Sequence, residues 1–222
     1  MLLARAADLD TLLDAVGARH PAVAAHGRRV AAYAVRLATQ FGLAPQAVDA
    51  IRTGALLHDI GKIHLPADIL LKPGRLTDHE WTEVQTHPEI GYALVDGMGL
   101  APAARDIVLC HHERHDGTGY PLRLSGSSLD WAVRLVSVAD AFDALTSHRP
   151  YRAAVSIDVA RSVLAREAGS RFCPWAVSAL LSLPRELLKP AAHDRGISYQ
   201  LDGCPPQAAA FATRTWQAAP VH

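Results

Sequence analysis

The chain is short of cysteine. Its 222 residues include only Cys110, Cys173 and Cys204, an odd number with no Cys-x-x-Cys pair. That excludes a disulfide framework and a zinc knuckle, and a reducing compartment is expected. Aromatic residues make up only 6% of the chain, and alanine, leucine and valine dominate, which favours packed helices over strands. Charge of either sign is not in excess: 22 basic residues balance 22 acidic ones. A general polyanion-binding surface is therefore excluded and DNA is not an expected partner, while local binding of a small phosphorylated ligand stays open. No window approaches the roughly eighteen apolar residues of a membrane span. The opening Met1-Leu2-Leu3-Ala4-Arg5 lacks the apolar stretch of a signal peptide. A cytoplasmic protein without a membrane association is expected.

What is present is a large apolar fraction and grouped histidines. Half of the residues are hydrophobic, enough for a sizeable core, and the twelve histidines are clustered, not scattered. Apolar positions Val23, Val30, Tyr33, Ala34, Leu37 and Phe41 recur at three- and four-residue spacing, which predicts an amphipathic helix over 22–41 that stops at Gly42. Further helices are predicted over 8–17, 46–59, 102–112, 131–145, 156–168 and 174–183. Thr77-Asp78-His79-Glu80 has the spacing of a capping box opening a helix toward His87, where Pro88 either kinks that helix or begins another. Residues 61–74 read as loop, with Pro66 and Pro73. The segment 113–130 reads as a long Gly/Ser/Pro loop, and loops beyond about 12–15 residues in compact domains are usually functional or disordered. After Leu183 the pattern decays. No segment alternates as a strand does, so an all-α fold is expected.

Candidate metal ligands fall at helix ends or inward-facing positions: His26, His58-Asp59, His87, His111-His112 and Asp140. Adjacent histidines on a helix diverge by about 100°, so His111 and His112 reach a cluster from different directions. Imidazole is the commonest protein ligand of transition metals. Asp59 and Asp140 sit in apolar runs, where a buried carboxylate is costly unless it is paired or bound to metal. Taken alone, Asp140 fits a helix–helix hydrogen bond equally well.

The ordered segments carry more. They are His26-Gly27-Arg28-Arg29-Val30, Leu57-His58-Asp59-Ile60-Gly61-Lys62-Ile63, Ile69 through Gly74, His87-Pro88-Glu89-Ile90-Gly91, His111-His112-Glu113 through Gly119-Tyr120-Pro121, Ala139 through Leu145, and Arg149-Pro150-Tyr151-Arg152. In this order and spacing the chain resembles the HD-GYP family, the branch of HD-domain phosphohydrolases that cleaves cyclic di-GMP. The resemblance spans about residues 20–183. It implies an HD-domain helical bundle with a long functional loop between helices: a lead-in at 1–19, the catalytic domain at 20–189 and an irregular tail at 190–222.

By the same resemblance His26, His58, Asp59 and Asp140 hold one divalent metal. Asp59, His87, His111 and His112 hold a second, with Asp59 bridging. Mixed imidazole and carboxylate ligation suits iron or manganese, with zinc, magnesium, nickel and cobalt as alternatives. A hydroxide bridging the two metals would attack phosphorus, opening cyclic di-GMP to pGpG, with GMP as a further product. Asp59 and Lys62 are the implied catalytic pair. Lys62, Gly119, Tyr120, Asp143, Arg149 and Arg152 are implied substrate contacts, although a salt bridge to Asp143 is a fair rival role for Arg149. Another cyclic dinucleotide, or a low-turnover nucleotide-binding signalling module, is the alternative reading. A protein partner at the 113–130 loop and a homodimer are admitted.

The chain departs from the family pattern at several places. Ala22 stands where some members have a glutamate that supports a third metal, so two metals are expected. Arg123 stands where glycine is usual and either contacts phosphate or faces solvent. His115, Leu129-Asp130 and Cys173 replace a tryptophan, an Ile-Pro and an aspartate. None of these removes an implied ligand.

Overall fold

The computed structural model of the chain describes residues 2–72, 74–148 and 153–189. Their helices run, in order, α1 Leu2–Arg19, α2 Pro21–Gln40, α3 Pro45–Leu57, α4 Ala67–Leu70, α5 Asp78–Val84, α6 His87–Val95, α7 Pro102–Cys110, α8 Trp131–Thr146, α9 Ile157–Arg166 and α10 Pro174–Ser182. Short 3-10 turns occupy Ile60–His64, Gly126–Ser128 and Arg185–Leu188. The described residues contain no strand, only an isolated bridge between Ala168 and Phe172. The fold is all-α, as composition and periodicity predicted, and no described helix is long and apolar enough to cross a membrane.

α2 and α8 form the centre. α2 packs on α1, α3 and α8, and α8 also touches α7, α9 and α10. The periodic residues Val30, Tyr33, Ala34 and Leu37 are buried, and they join Ile51, Ile107, Leu135, Phe142, Leu164 and Leu180 in the main core. Tyr33 meets Phe142 edge-on, ring centroids 5.1 Å apart. A second apolar cluster of Val16, Ala24, Leu57, Ile60, Val95 and Val108 lies under the far ends of α1, α3 and α7. Burial of one such side chain stabilises by about 1.5–3 kcal/mol, so these two clusters fix how the helix ends meet.

Several boundaries differ from the sequence reading. α1 extends well beyond 8–17 in both directions. The capping box is present: Thr77 Oγ1 accepts from Glu80 N–H, and the Glu80 carboxylate accepts from Thr77 N–H. The helix it opens stops at Val84, and α6 begins afresh at His87, because Pro88 lacks the N–H that an uninterrupted helix would use and fits the first turn of a new one. The stretch read as loop at 61–74 holds a 3-10 turn and α4. Past Leu183, Leu188 is fully buried, and α2 reaches back to it through Tyr33 Oη on the Leu188 carbonyl and Arg36 on the Leu187 carbonyl.

Candidate metal centre

Helix ends from two directions deliver the side chains. α3 ends directly before His58-Asp59, α7 ends directly before His111-His112, and His87 is the first residue of α6. α2 contributes His26 and α8 contributes Asp140. Gly61 makes this convergence possible. A β-carbon there would lie 2.0 Å from the His87 carbonyl oxygen, so only glycine lets the turn after Asp59 rest on the start of α6.

Two groups of ligand atoms result. Asp59, His87, His111 and His112 form one, and His26, His58 and Asp140 the other, with the offered atoms of each group within 4.8 Å of one another. Asp59 faces both. Its Oδ1 lies 3.3 Å from His87 Nε2 and 3.7 Å from His111 Nε2. Its Oδ2 lies 3.4 Å from His58 Nε2 and 3.9 Å from His26 Nε2. His26 Nε2 is 3.0 Å from Asp140 Oδ1. The carboxylate thus has one oxygen toward each group.

The opposite ring nitrogens are already committed. Nδ1 of His58 meets the Ala55 carbonyl at 2.8 Å, Nδ1 of His87 the Val84 carbonyl at 2.6 Å, and Nδ1 of His111 the Val108 carbonyl at 3.0 Å. A carbonyl only accepts, so each Nδ1 carries the hydrogen and each neutral ring turns its Nε2 lone pair inward. His87 and His111 then bring two Nε2 lone pairs within 3.2 Å, a repulsive contact that a cation between them converts into ligation. His58 Nε2 and Asp59 Oδ1 are buried without a hydrogen-bond partner, and such atoms are costly unless something satisfies them. The donor set and these orphaned atoms fit a pair of metal ions.

Protonation is set accordingly. Burial pushes His111 down to about 4 and His112 well below the ordinary imidazole value. Burial opposes the charge on Asp59, but Lys62 and the neighbouring histidines outweigh it and hold the carboxyl well below the carboxylate range. His26 is the exception. Burial works against its charge, yet bonds to Asp140 and Asp143 raise it to about 9.

Of the implied substrate contacts, Lys62 places Nζ 2.7 Å from Asp59 Oδ2. The Tyr120 ring stacks on His112, centroids 4.9 Å apart and 27° between planes, with Trp81 edge-on to it at 6.3 Å. Tyr120 also lines a pocket of about 500 Å³ with Gln85, Gly117, Thr118, Gly119, Pro121 and Arg123. Gly119 lines that pocket, but its necessity is internal. A β-carbon there would fall 2.5 Å from Glu113 Cα and Arg114 N, so glycine is required where the loop doubles back. Asp143 is a correction. It is buried at 1% exposure and does not line the pocket. Its carboxylate accepts from Arg29 Nε at 2.7 Å, Arg29 Nη2 at 2.9 Å and Ser147 Oγ at 3.1 Å, and it meets His26 Nδ1 at 2.7 Å. These partners come from α2 and from Ser147 at the end of α8. Arg149 and Arg152 lie outside the described residues.

The sequence reading gave no positioning role to Arg29, Asp143 or Glu113. Arg29 stands three residues after His26, and Asp143 three after Asp140, so each pair shares a helix face, a signal that could have joined them. Glu113 was quoted within its motif without a role. It is 4% exposed, and its carboxylate accepts from Leu122 N–H at 2.6 Å and Leu124 N–H at 3.1 Å, closing the loop. Two of the departures have plain structural places: Asp130 caps α8 by accepting from Ala132 N–H, and Cys173 is the buried residue before α10.

A helical bundle that gathers a shared carboxylate, five histidines and a second aspartate has the donor set for a pair of metal ions. The chain belongs to the HD domain family, which matches residues 10–174. Within it the likeness is to HD-GYP proteins. The chain is 42% identical over 175 residues to the cyclic di-GMP phosphodiesterase response regulator RpfG of Xanthomonas campestris pv. campestris, covering 78% of this chain and 46% of that protein. It is 40% identical over 172 residues to 3'3'-cGAMP-specific phosphodiesterase 2 of Vibrio cholerae, covering 77% and 33%. Among solved structures, Bd1817, an HD-GYP-type protein of Bdellovibrio bacteriovorus, matches with a TM-score of 0.60 at 25% identity, covering 71% of this chain and 51% of that one. The chain spans about half or less of the length of these relatives.

Proposed function

We propose that this chain is a metal-dependent cyclic-dinucleotide phosphodiesterase acting on cyclic di-GMP, with pGpG as first product and GMP as a further one. The observation that carries the reading is the two-faced Asp59 carboxylate between the two ligand groups. His26, His58 and Asp140 would hold one ion with Asp59 Oδ2, and His87, His111 and His112 the other with Asp59 Oδ1. Iron or manganese is proposed, because the donors are nitrogen and oxygen without thiolate. Such a pair, when bound, supplies water activation and neutralises charge on a phosphodiester.

The protein's own groups do the rest. The backbone carbonyls of Ala55, Val84 and Val108 lock the rings in the tautomer that aims Nε2 inward. Lys62 keeps Asp59 ionised and brings a cation to the side where phosphate charge develops. Tyr120 covers His112 and forms the wall of the adjoining pocket. Protein of verified metal content should hydrolyse cyclic di-GMP, and Asp59→Ala should abolish the reaction. Activity that survives Asp59→Ala at verified metal content refutes the mechanism.

A second reading is a cyclic GMP-AMP phosphodiesterase. The similarity to the Vibrio cholerae enzyme named for that substrate favours it. A substrate panel in which cyclic di-GMP has no advantage over cyclic GMP-AMP selects it.

A further inference from the structure

The pocket beside the centre is lined by residues without any carboxylate, and its one charged group is Arg123. Among the described residues the exposed Arg123 guanidinium donates no hydrogen bond and forms no ion pair, whereas Arg114 of the same loop is held by Asp116. Arg123 is also the one described non-glycine residue in the left-handed region, at φ 55°. A side chain makes that conformation unfavourable, and it persists only where the surroundings impose it. Here the buried Glu113 carboxylate grips the amides on either side, those of Leu122 and Leu124. The result is a free cation held at the rim of an uncharged pocket. The pocket adjoins the metal centre through Tyr120, which belongs to both.

A cyclic dinucleotide carries two phosphodiesters. With one at the centre, the other is carried away from it on the remainder of the ring. We propose that Arg123 binds the phosphodiester that is not being cleaved, by the two-pronged contact that a guanidinium makes with phosphate oxygens. Glu113 is the positioning residue for it. This inference rests on the phosphodiesterase reading above.

The test compares wild type, Arg123→Gly and Arg123→Lys on cyclic di-GMP, on cyclic di-AMP as substrate or competitive inhibitor, and on bis(p-nitrophenyl) phosphate, which has a single phosphodiester. Glycine takes φ 55° freely, so R123G should keep its melting temperature. Its KM or Ki for both cyclic dinucleotides should rise about tenfold or more, the loss of one charge-assisted contact, with kcat and the bis(p-nitrophenyl) phosphate kinetics unchanged. R123K should recover part of the affinity. An unchanged KM overturns the proposal. A rise confined to cyclic di-GMP overturns it in favour of guanine recognition, and an equal rise on bis(p-nitrophenyl) phosphate in favour of contact at the cleaved group. A wild type that cleaves bis(p-nitrophenyl) phosphate but no cyclic dinucleotide sinks the functional reading itself, and the Arg123 assignment with it.

Discussion

Asp143→Asn separates a supporting role from a substrate-binding one. The Asp143 carboxylate serves three groups at once: His26 Nδ1, the Arg29 guanidinium and the Ser147 hydroxyl. The asparagine carbonyl can accept from only some of them, and its NH2 turns a donor toward groups that need an acceptor. Removing one partner of a buried ion pair costs about 3–5 kcal/mol. Arg29 keeps some solvent contact and the amide retains a bond, so about 2–3 kcal/mol is the expected loss. For a chain of this size that corresponds to a melting temperature lower by about 4–12 °C. Loss of the group that orients a ligating histidine also lowers metal affinity by about 10–100-fold. Titration against a chromogenic chelator should therefore show one weakened ion, on the His26 side, and one unchanged. The pH dependence of the metal-free protein follows from the same network. Burial opposes the charge of Asp143, but His26 and Arg29 hold its pKa below the ordinary 3.8. Its stabilisation is present above that value and is lost as pH falls further. His26 runs the other way, raised from 6.5 to about 9. Its stabilisation is complete below 6.5 and is lost as pH rises through 9. In the metal-free protein the contribution of the His26–Asp143 pair should be complete between 3.8 and 6.5, while His111 and His112, held low by burial, cost stability as pH falls below 6.5; D143N should flatten the alkaline loss. Wild-type melting and wild-type affinity for both ions in D143N would refute the reasoning.

Three further outcomes are expected. Gly61→Ala places a methyl 2.0 Å from a backbone oxygen, a clash that no rotamer relieves. It should destabilise by about 3 kcal/mol and lower metal content together with it, read by thermal melting and elemental analysis; a stable variant with full metal content contradicts the account of how Asp59 meets α6. Glu113→Gln keeps one acceptor for two amides, so hydrogen exchange at Leu122 and Leu124 should quicken while α2 and α8 amides hold; equal protection throughout shows that the carboxylate does not close the loop. Burial, with Glu113 and Asp106 adding to it, pushes the Cys110 thiol up to about 12. Iodoacetamide followed by peptide mapping should find Cys110 labelled only after denaturation, and rapid labelling of the native protein would show that α7 opens.

Most of the candidate ligands were legible because they are marked locally. A histidine or aspartate placed at the end of an apolar run has few inexpensive explanations, and His58-Asp59, His111-His112 and Asp140 each stand in such a place. What joins them was not local. Asp143 lies 117 residues from His26, and nothing in a linear reading favoured α2 over the nearby Arg149 as its partner. α2 and α8 pack against each other and bring the three-residue offsets His26–Arg29 and Asp140–Asp143 opposite one another, a pairing that only the fold shows. The turn Ile60–His64 and α4 were invisible for another reason. Each is a turn or so long, too short for a 3.6-residue period to show, and Pro66, which argued for a loop, is compatible with the residue before a helix. The same limit applied to Glu113 and Arg123. A buried glutamate that accepts two amides looks, in sequence, like any exposed loop glutamate, and only the backbone at φ 55° shows that the residue it encloses is held in place. The ligands of this centre are thus written in residue type, whereas the groups that aim them and shape the adjoining pocket are written in which faces the helices turn to one another.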